Sequence, residues 1–159
     1  MKYNPLPIFF EYLQSAGYSK RKTEISITVQ STVDAPISVV WDAWTNPEHV
    51  MKWNHASDDW HTTAAVNDLS AGGAFSYTMA AKDGSFSFDF EGTYKEVVDY
   101  VRIVVLLGDG RNMEVHFAAD GDETTVRETF DAETENPVEM QQMGWQLILD
   151  NFKKYAEGL

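Results

Sequence analysis

The chain has 159 residues and 18.0 kDa, the length of one ordinary domain, and its 43% hydrophobic and 13% aromatic content suits a packed core. Twelve Lys+Arg against 25 Asp+Glu give a net charge of −13. Such a surface repels phosphate backbones and anionic lipid headgroups, so neither a nucleic-acid nor a membrane partner is expected. With no cysteine, disulfides, thiol catalysis and thiolate metal sites are excluded.

The first residues, MKYNPLPIFFEYLQ, hold Leu6, Ile8, Phe9 and Phe10 close together, interrupted by Pro5 and Pro7 and followed by Glu11. That is neither a signal-peptide core nor a membrane span, and a cytoplasmic location is expected. Residues 1–22 end in Lys20-Arg21-Lys22 and stand apart as an N-terminal extension, disordered or forming a short docked helix. In the second case Pro7 opens the helix, Gly17 closes it, and Ile8, Phe9, Tyr12 and Leu13 share a face. Residues 23–159 form the domain proper.

From Glu24, Ile25, Ile27, Val29 and Val33 alternate with polar residues, the pattern of a half-buried strand. Pro36 ends it. ISVVWDAWT (37–45) has helical spacing, and Asn46-Pro47 breaks that helix and opens a second through Trp53. Strand-like runs follow at Ala74–Ala81, Phe86–Tyr94, Arg102–Leu107, Met113–Phe117 and Thr124–Ala132. Asp83-Gly84, Asp109-Gly110 and Asp120-Gly121 separate them, and Asp-Gly supplies the positive φ of tight hairpins, so an antiparallel meander is expected. Asn136-Pro137 starts a long amphipathic helix that Gly158 ends. Val138, Trp145, Ile148, Leu149, Phe152, Tyr155 and Ala156 lie on one stripe, with Gln141 and Gln142 near its start. This order defines an α+β protein in which the helix stripe and the concave face of a curved sheet bury each other.

The strings VDAPISVVWDAWTNPEHVMKWN, GGAFSY, FEGTYKEV, VRETF and GWQLILDNFKKY resemble the START-like (Bet v 1-like, SRPBCC) superfamily, and within it the AHSA1-like group. The resemblance covers residues 24–157. It implies the helix-grip fold: a curved antiparallel sheet, two short helices, and a long C-terminal helix across the concave face. It also implies an elongated cavity between that helix and the sheet, roofed by the second short helix.

Chemistry-bearing residues fall in three groups. Trp53-Asn54-His55-Ala56-Ser57-Asp58-Asp59-Trp60-His61 carries two imidazoles and two carboxylates in a loop placed at the cavity mouth by the resemblance. His55 and His61 are six apart without helical i, i+4 pairing, so no metal and no cofactor are expected. Asp59, Trp60 and His61 then serve as lid and polar anchor; alternatively Asp58, Asp59 or His61 does acid–base work if burial tunes a pKa, or the Asp residues cap backbone groups and Trp60 packs against the sheet edge. Glu128 shares its strand parity with Val126 and Phe130 and points at the helix, unless it sits at the sheet end paired with Arg127 or Arg102. With Gln141 and Gln142 opposite, inside an aromatic lining of Trp53, Phe75, Tyr77, Phe90 and Trp145, it describes a small-molecule pocket. Met140, Met143 and Leu147 lie opposite the core stripe, where a second subunit of a homodimer or the N-terminal extension would cover them.

The sequence therefore points to a binding protein for a small apolar or amphipathic molecule. The alternative on the same scaffold is an enzyme of the polyketide cyclase or hydrolase-like type using Asp59, His61 or Glu128. A co-chaperone role follows from the resemblance less directly, because the full Hsp90 activators carry an additional N-terminal domain.

Overall fold

The computed structural model describes residues 25–159, so the expectations for residues 1–22 lie outside the described residues. Seven antiparallel strands form one curled sheet: β1 (Ser26–Val33), β2 (Trp60–Asn67), β3 (Ala74–Ala81), β4 (Ser87–Val98), β5 (Arg102–Leu107), β6 (Asn112–Asp120) and β7 (Glu123–Asp131). Their spatial order is β1-β7-β6-β5-β4-β3-β2, a six-strand meander with β1 added beside the last strand. Helices α1 (Ile37–Thr45) and α2 (Pro47–Trp53) carry the chain from one edge of the sheet to the other. Helix α3 (Val138–Glu157) lies across the concave face, and the whole is the helix-grip architecture.

Local chemistry sets the elements. Gly84, Gly110 and Gly121 of the three Asp-Gly turns all have positive φ, which closes the hairpins without a Cβ clash. Along β7, Val126, Glu128 and Phe130 are buried while Arg127 is exposed, the alternation of a sheet with one covered face. Bulges between Thr62 and Ala64 in β2 and between Tyr94 and Glu96 in β4 add local twist, which helps the sheet curl around α3.

The helices are locked to each other by aromatic contacts. Asn46 caps α2 by accepting a hydrogen bond from the Glu48 amide at 3.0 Å, with Pro47 at the first helical position. The Trp53 indole donates to the Ala43 carbonyl at 2.8 Å and ties α2 back to α1. Phe152 of α3 meets Trp44 and Trp53 edge-on, each with ring centroids 4.8 Å apart. Three α3 side chains reach main-chain carbonyls of the edge strand β1: Gln142 to Thr28, Gln146 to Gln30 and Lys153 to Thr32. Among the described residues no helix is long and apolar enough to cross a membrane.

The strand β2 is an addition to the sequence pattern, which places Trp60 and His61 in a loop. WHTTAAVN lacks clean alternation because the bulge after Thr62 reverses the faces midway: Trp60 and Thr62 are buried, Thr63 and Ala64 are exposed.

Candidate functional site

Between α3 and the sheet lies a cavity of about 70 Å3. Trp145 and Ile148 of α3 form one wall, and Trp44, Thr45, Trp53 and Asn54 from the ends of α1 and α2 form the roof. The sheet contributes Phe75, Tyr77 and Met79 from β3, Phe90 and Tyr94 from β4, then Ile103, Val105, Met113 and Val115, and finally Glu128. The rings interlock. Phe75 lies 5.2–5.8 Å from Tyr77, Tyr94 and Phe90, and Phe90 meets Trp145 edge-on at 6.0 Å.

Glu128 is the anomaly of this lining. Its place in β7 sets it in register with Val29 on one side and Val115 on the other, so neither neighbouring strand offers it a polar group. It is 4% exposed. No described side chain hydrogen-bonds or pairs with its carboxyl: Arg102 pairs with Glu96 instead, and Arg127 points to the opposite, exposed face. Burial alone pushes its pKa up to about 8, because the carboxylate would lose water and gain nothing in exchange.

A second polar group sits among the β3 and β4 rings. The Tyr77 and Tyr94 hydroxyls hydrogen-bond to each other and to Asn67, whose amide donates to the Thr45 carbonyl at 2.8 Å. Burial raises both phenols, so they stay neutral and act only as hydrogen-bonding groups.

Six of the eleven pocket candidates named from the sequence line this cavity: Trp53, Phe75, Tyr77, Phe90, Glu128 and Trp145. Asp59, Trp60, His61, Gln141 and Gln142 do not. The carbonyl of Asp59 accepts from the Lys82 amide at 2.8 Å, and Trp60 packs against Phe86 and Phe88. His61 lies in β2 opposite Ala80. Gln141 is buried but turns away to brace the β7–α3 connection: its carbonyl oxygen accepts from the Glu133 amide at 2.9 Å, and its amide nitrogen donates to the carbonyls of Glu133 and Asn136. Gln142 is exposed. His55 is fixed at the mouth of the α2–β2 loop, where Asn151 donates to its Nε2 at 3.1 Å and to the Trp53 carbonyl at 2.7 Å; burial, mainly, lowers its pKa. Met143 and Leu147 are 50% and 39% exposed, and Met140 is half-buried.

The residues missed in the sequence are chiefly Tyr94, Asn67 and Trp44. Tyr94 shares the parity of Phe88 and Phe90, which was the available signal; Asn67 closes β2, an element the pattern did not mark.

A curled sheet gripping one helix around an aromatic cavity defines a START-like domain. The chain belongs to the family described as activator of Hsp90 ATPase homolog 1-like protein, whose model matches residues 34–157. The solution structure of an AHSA1-like protein from Aeromonas hydrophila is 47% identical, covers 84% of this chain and 93% of its own, and superposes with a TM-score of 0.80. A protein from Cytophaga hutchinsonii, also solved in solution, is 53% identical over 84% of this chain and 92% of its own, with a TM-score of 0.73. A crystal structure from Nitrosomonas europaea, at 18% identity, a TM-score of 0.72 and coverage of 87% of this chain and 97% of its own, shares the fold. No curated protein matches the sequence.

Proposed function

We propose that the protein binds a small apolar or amphipathic molecule in the cavity between α3 and the sheet. The observation that carries this reading is the composition of the lining: seven aromatic residues around a single buried carboxyl that no described side chain satisfies. Cores pack to the density of organic crystals, so unfilled space is uncommon, and a buried polar group without a partner is costly to keep. A site that holds a guest has a use for both features. Ligand pockets combine apolar walls with a few placed polar groups in this way.

Native and denaturing mass spectra of the protein isolated from the cells that make it test the reading. The expected result is an added mass in the native spectrum that disappears on denaturation. A bare mass, together with probe molecules that leave the cavity residues' NMR signals unmoved, removes it. The same experiment addresses the enzymatic alternative, in which the protonated Glu128 is a general acid: a guest recovered with changed mass after incubation favours turnover over carriage.

A further inference from the structure

We propose that the cavity selects an uncharged molecule with an apolar body and a carbonyl oxygen, and that the Glu128 carboxyl donates a hydrogen bond to that oxygen. The proposal rests on the cavity-binding reading and narrows its guest to one chemical class.

Three exclusions lead there. Anionic guests have nothing to meet, because among the described residues no Lys, Arg or His lines the cavity and the chain carries a net charge of −13. A cationic guest would force both its own charge and the Glu128 carboxylate into an apolar box. A buried ion pair holds only when further hydrogen bonds satisfy the remaining lone pairs, and the flanking Val29 and Val115 supply none. A purely hydrocarbon guest leaves the carboxyl as unsatisfied as before.

What remains is the neutral acid. Desolvation without a compensating donor favours the protonated carboxyl, which has one O–H to give. Few groups compete for it. The titratable residues of the lining are Glu128, Tyr77 and Tyr94; β1, β6, α3 and the ends of α1 and α2 present none to it. The two tyrosine hydroxyls are engaged with each other and with Asn67. A carbonyl oxygen on the guest is the complementary acceptor.

Size narrows the class further. A cavity of about 70 Å3, at roughly 10–15 Å3 per water-sized site, takes on the order of half a dozen non-hydrogen atoms. Cyclohexanone, methylcyclohexane, cyclohexylammonium and cyclobutanecarboxylate, of about seven non-hydrogen atoms each, therefore form a probe set matched in size that varies the polar group.

The experiment titrates each probe into the full chain and follows the tryptophan indole N–H signals by NMR. For the wild type, the ketone is expected to bind at least tenfold more tightly than the other three. Glu128→Gln keeps a hydrogen-bond donor of nearly the same shape and is expected to keep that preference, whereas Glu128→Leu reduces it to near unity. In the wild type the ketone's affinity is expected to be level up to neutral pH and then to fall by about tenfold per pH unit once Glu128 ionises. Glu128→Gln shows no such fall. Tightest binding by the ammonium probe, loss of the preference in Glu128→Gln, or affinity that rises with pH would each overturn the proposal while leaving cavity binding intact. Silence of the indole signals toward all four probes, methylcyclohexane included, overturns the cavity-binding reading itself.

Discussion

The indole of Trp145 lies flat on the ring of Phe130, with centroids 3.8 Å apart and planes 16° from parallel. Phe130 is two residues beyond Glu128 on the same face of β7, so this stack fixes the position of the α3 wall relative to the carboxyl it faces. Replacing Trp145 removes the stack, the edge contact with Phe90 and one side of the cavity at once. Trp145→Ala is expected to cost about 3–5 kcal/mol in stability, the range for large aromatic residues cut to Ala in a core. Trp145→Phe, which keeps a ring on Phe130, is expected to cost less than half as much. Urea unfolding of the two variants measures this; equal losses would mean that the stack does not position the helix.

Glu128 makes stability depend on pH in an unusual direction for a carboxyl. Its folded pKa is raised to about 8 from the ordinary glutamate value of 4.5, so the native state holds the proton more tightly than the unfolded chain. Below the unfolded value both states are protonated and this contribution is complete. As pH rises from there, the unfolded chain releases its proton while the native one keeps it, and stability declines by about 1.4 kcal/mol per unit until Glu128 ionises in the fold. Glu128→Gln does not titrate. The difference in urea midpoint between Glu128→Gln and wild type is therefore expected to shift in the variant's favour between pH 5 and pH 8, by a few kcal/mol when converted to free energy. A difference that is the same at both pH values would show that the carboxyl ionises in the fold as it does in water.

Gln141 shows both how far the sequence can be read and where it stops. Helical periodicity places it on the buried stripe of α3, and it is buried, at 1% exposure. Periodicity fixes the azimuth of a side chain but says nothing about partners from another segment. Here the partners are main-chain groups of residues 133–136, a stretch without a repeating pattern. Glu128 was the reverse case: strand parity alone aimed it inward, and only the three-dimensional contacts could decide against Arg102 and Arg127. Meander, hairpins and long helix were legible because each has a periodic or turn signature; β2 was not, because its bulge breaks the period. Gln141→Leu keeps the volume and strands one amide and two carbonyls. At about 1–3 kcal/mol per buried unsatisfied group, with partial relief by water, a loss of at least about 3 kcal/mol is expected. Urea denaturation checks it, and a loss below about 1 kcal/mol would mean that the β7–α3 connection holds itself.

Gly92 is the opening in β4 that lets Phe75 lie over the sheet. The two residues are opposite each other in the β3–β4 register, and a Cβ on Gly92 would come within 2.9 Å of Cε1 of Phe75 and 2.7 Å of the Leu106 carbonyl oxygen. The second contact is with backbone and cannot be relieved by a side-chain rotation. Gly92→Ala is expected to destabilise by about 1–3 kcal/mol, as overpacking does, and to displace Phe75 toward the cavity. Thermal unfolding reads the first effect, and aromatic NMR shifts of Phe75 read the second. A neutral substitution with an unmoved Phe75 would show that β4 yields without strain.

The edge of the sheet carries the last prediction. Thr28, Gln30 and Thr32 belong to the register positions of β1 that turn their main chain away from β7, so their carbonyls face outward along an edge that no described strand pairs with. An unpaired edge is a template for association with another chain. Gln142, Gln146 and Lys153 each occupy one of these carbonyls from α3. Exposed hydrogen bonds of this kind are worth only about 0.5–1.5 kcal/mol each, so replacing all three residues by Ala is expected to lower stability modestly. The larger expected effect is on solution behaviour: the triple variant should associate through β1 at concentrations where the wild type does not. Light scattering across a concentration series, at a temperature where both proteins are fully folded, measures this. Matching scattering curves would mean that the neighbouring helix excludes a second strand by bulk alone and that the three hydrogen bonds have no part in protecting the edge.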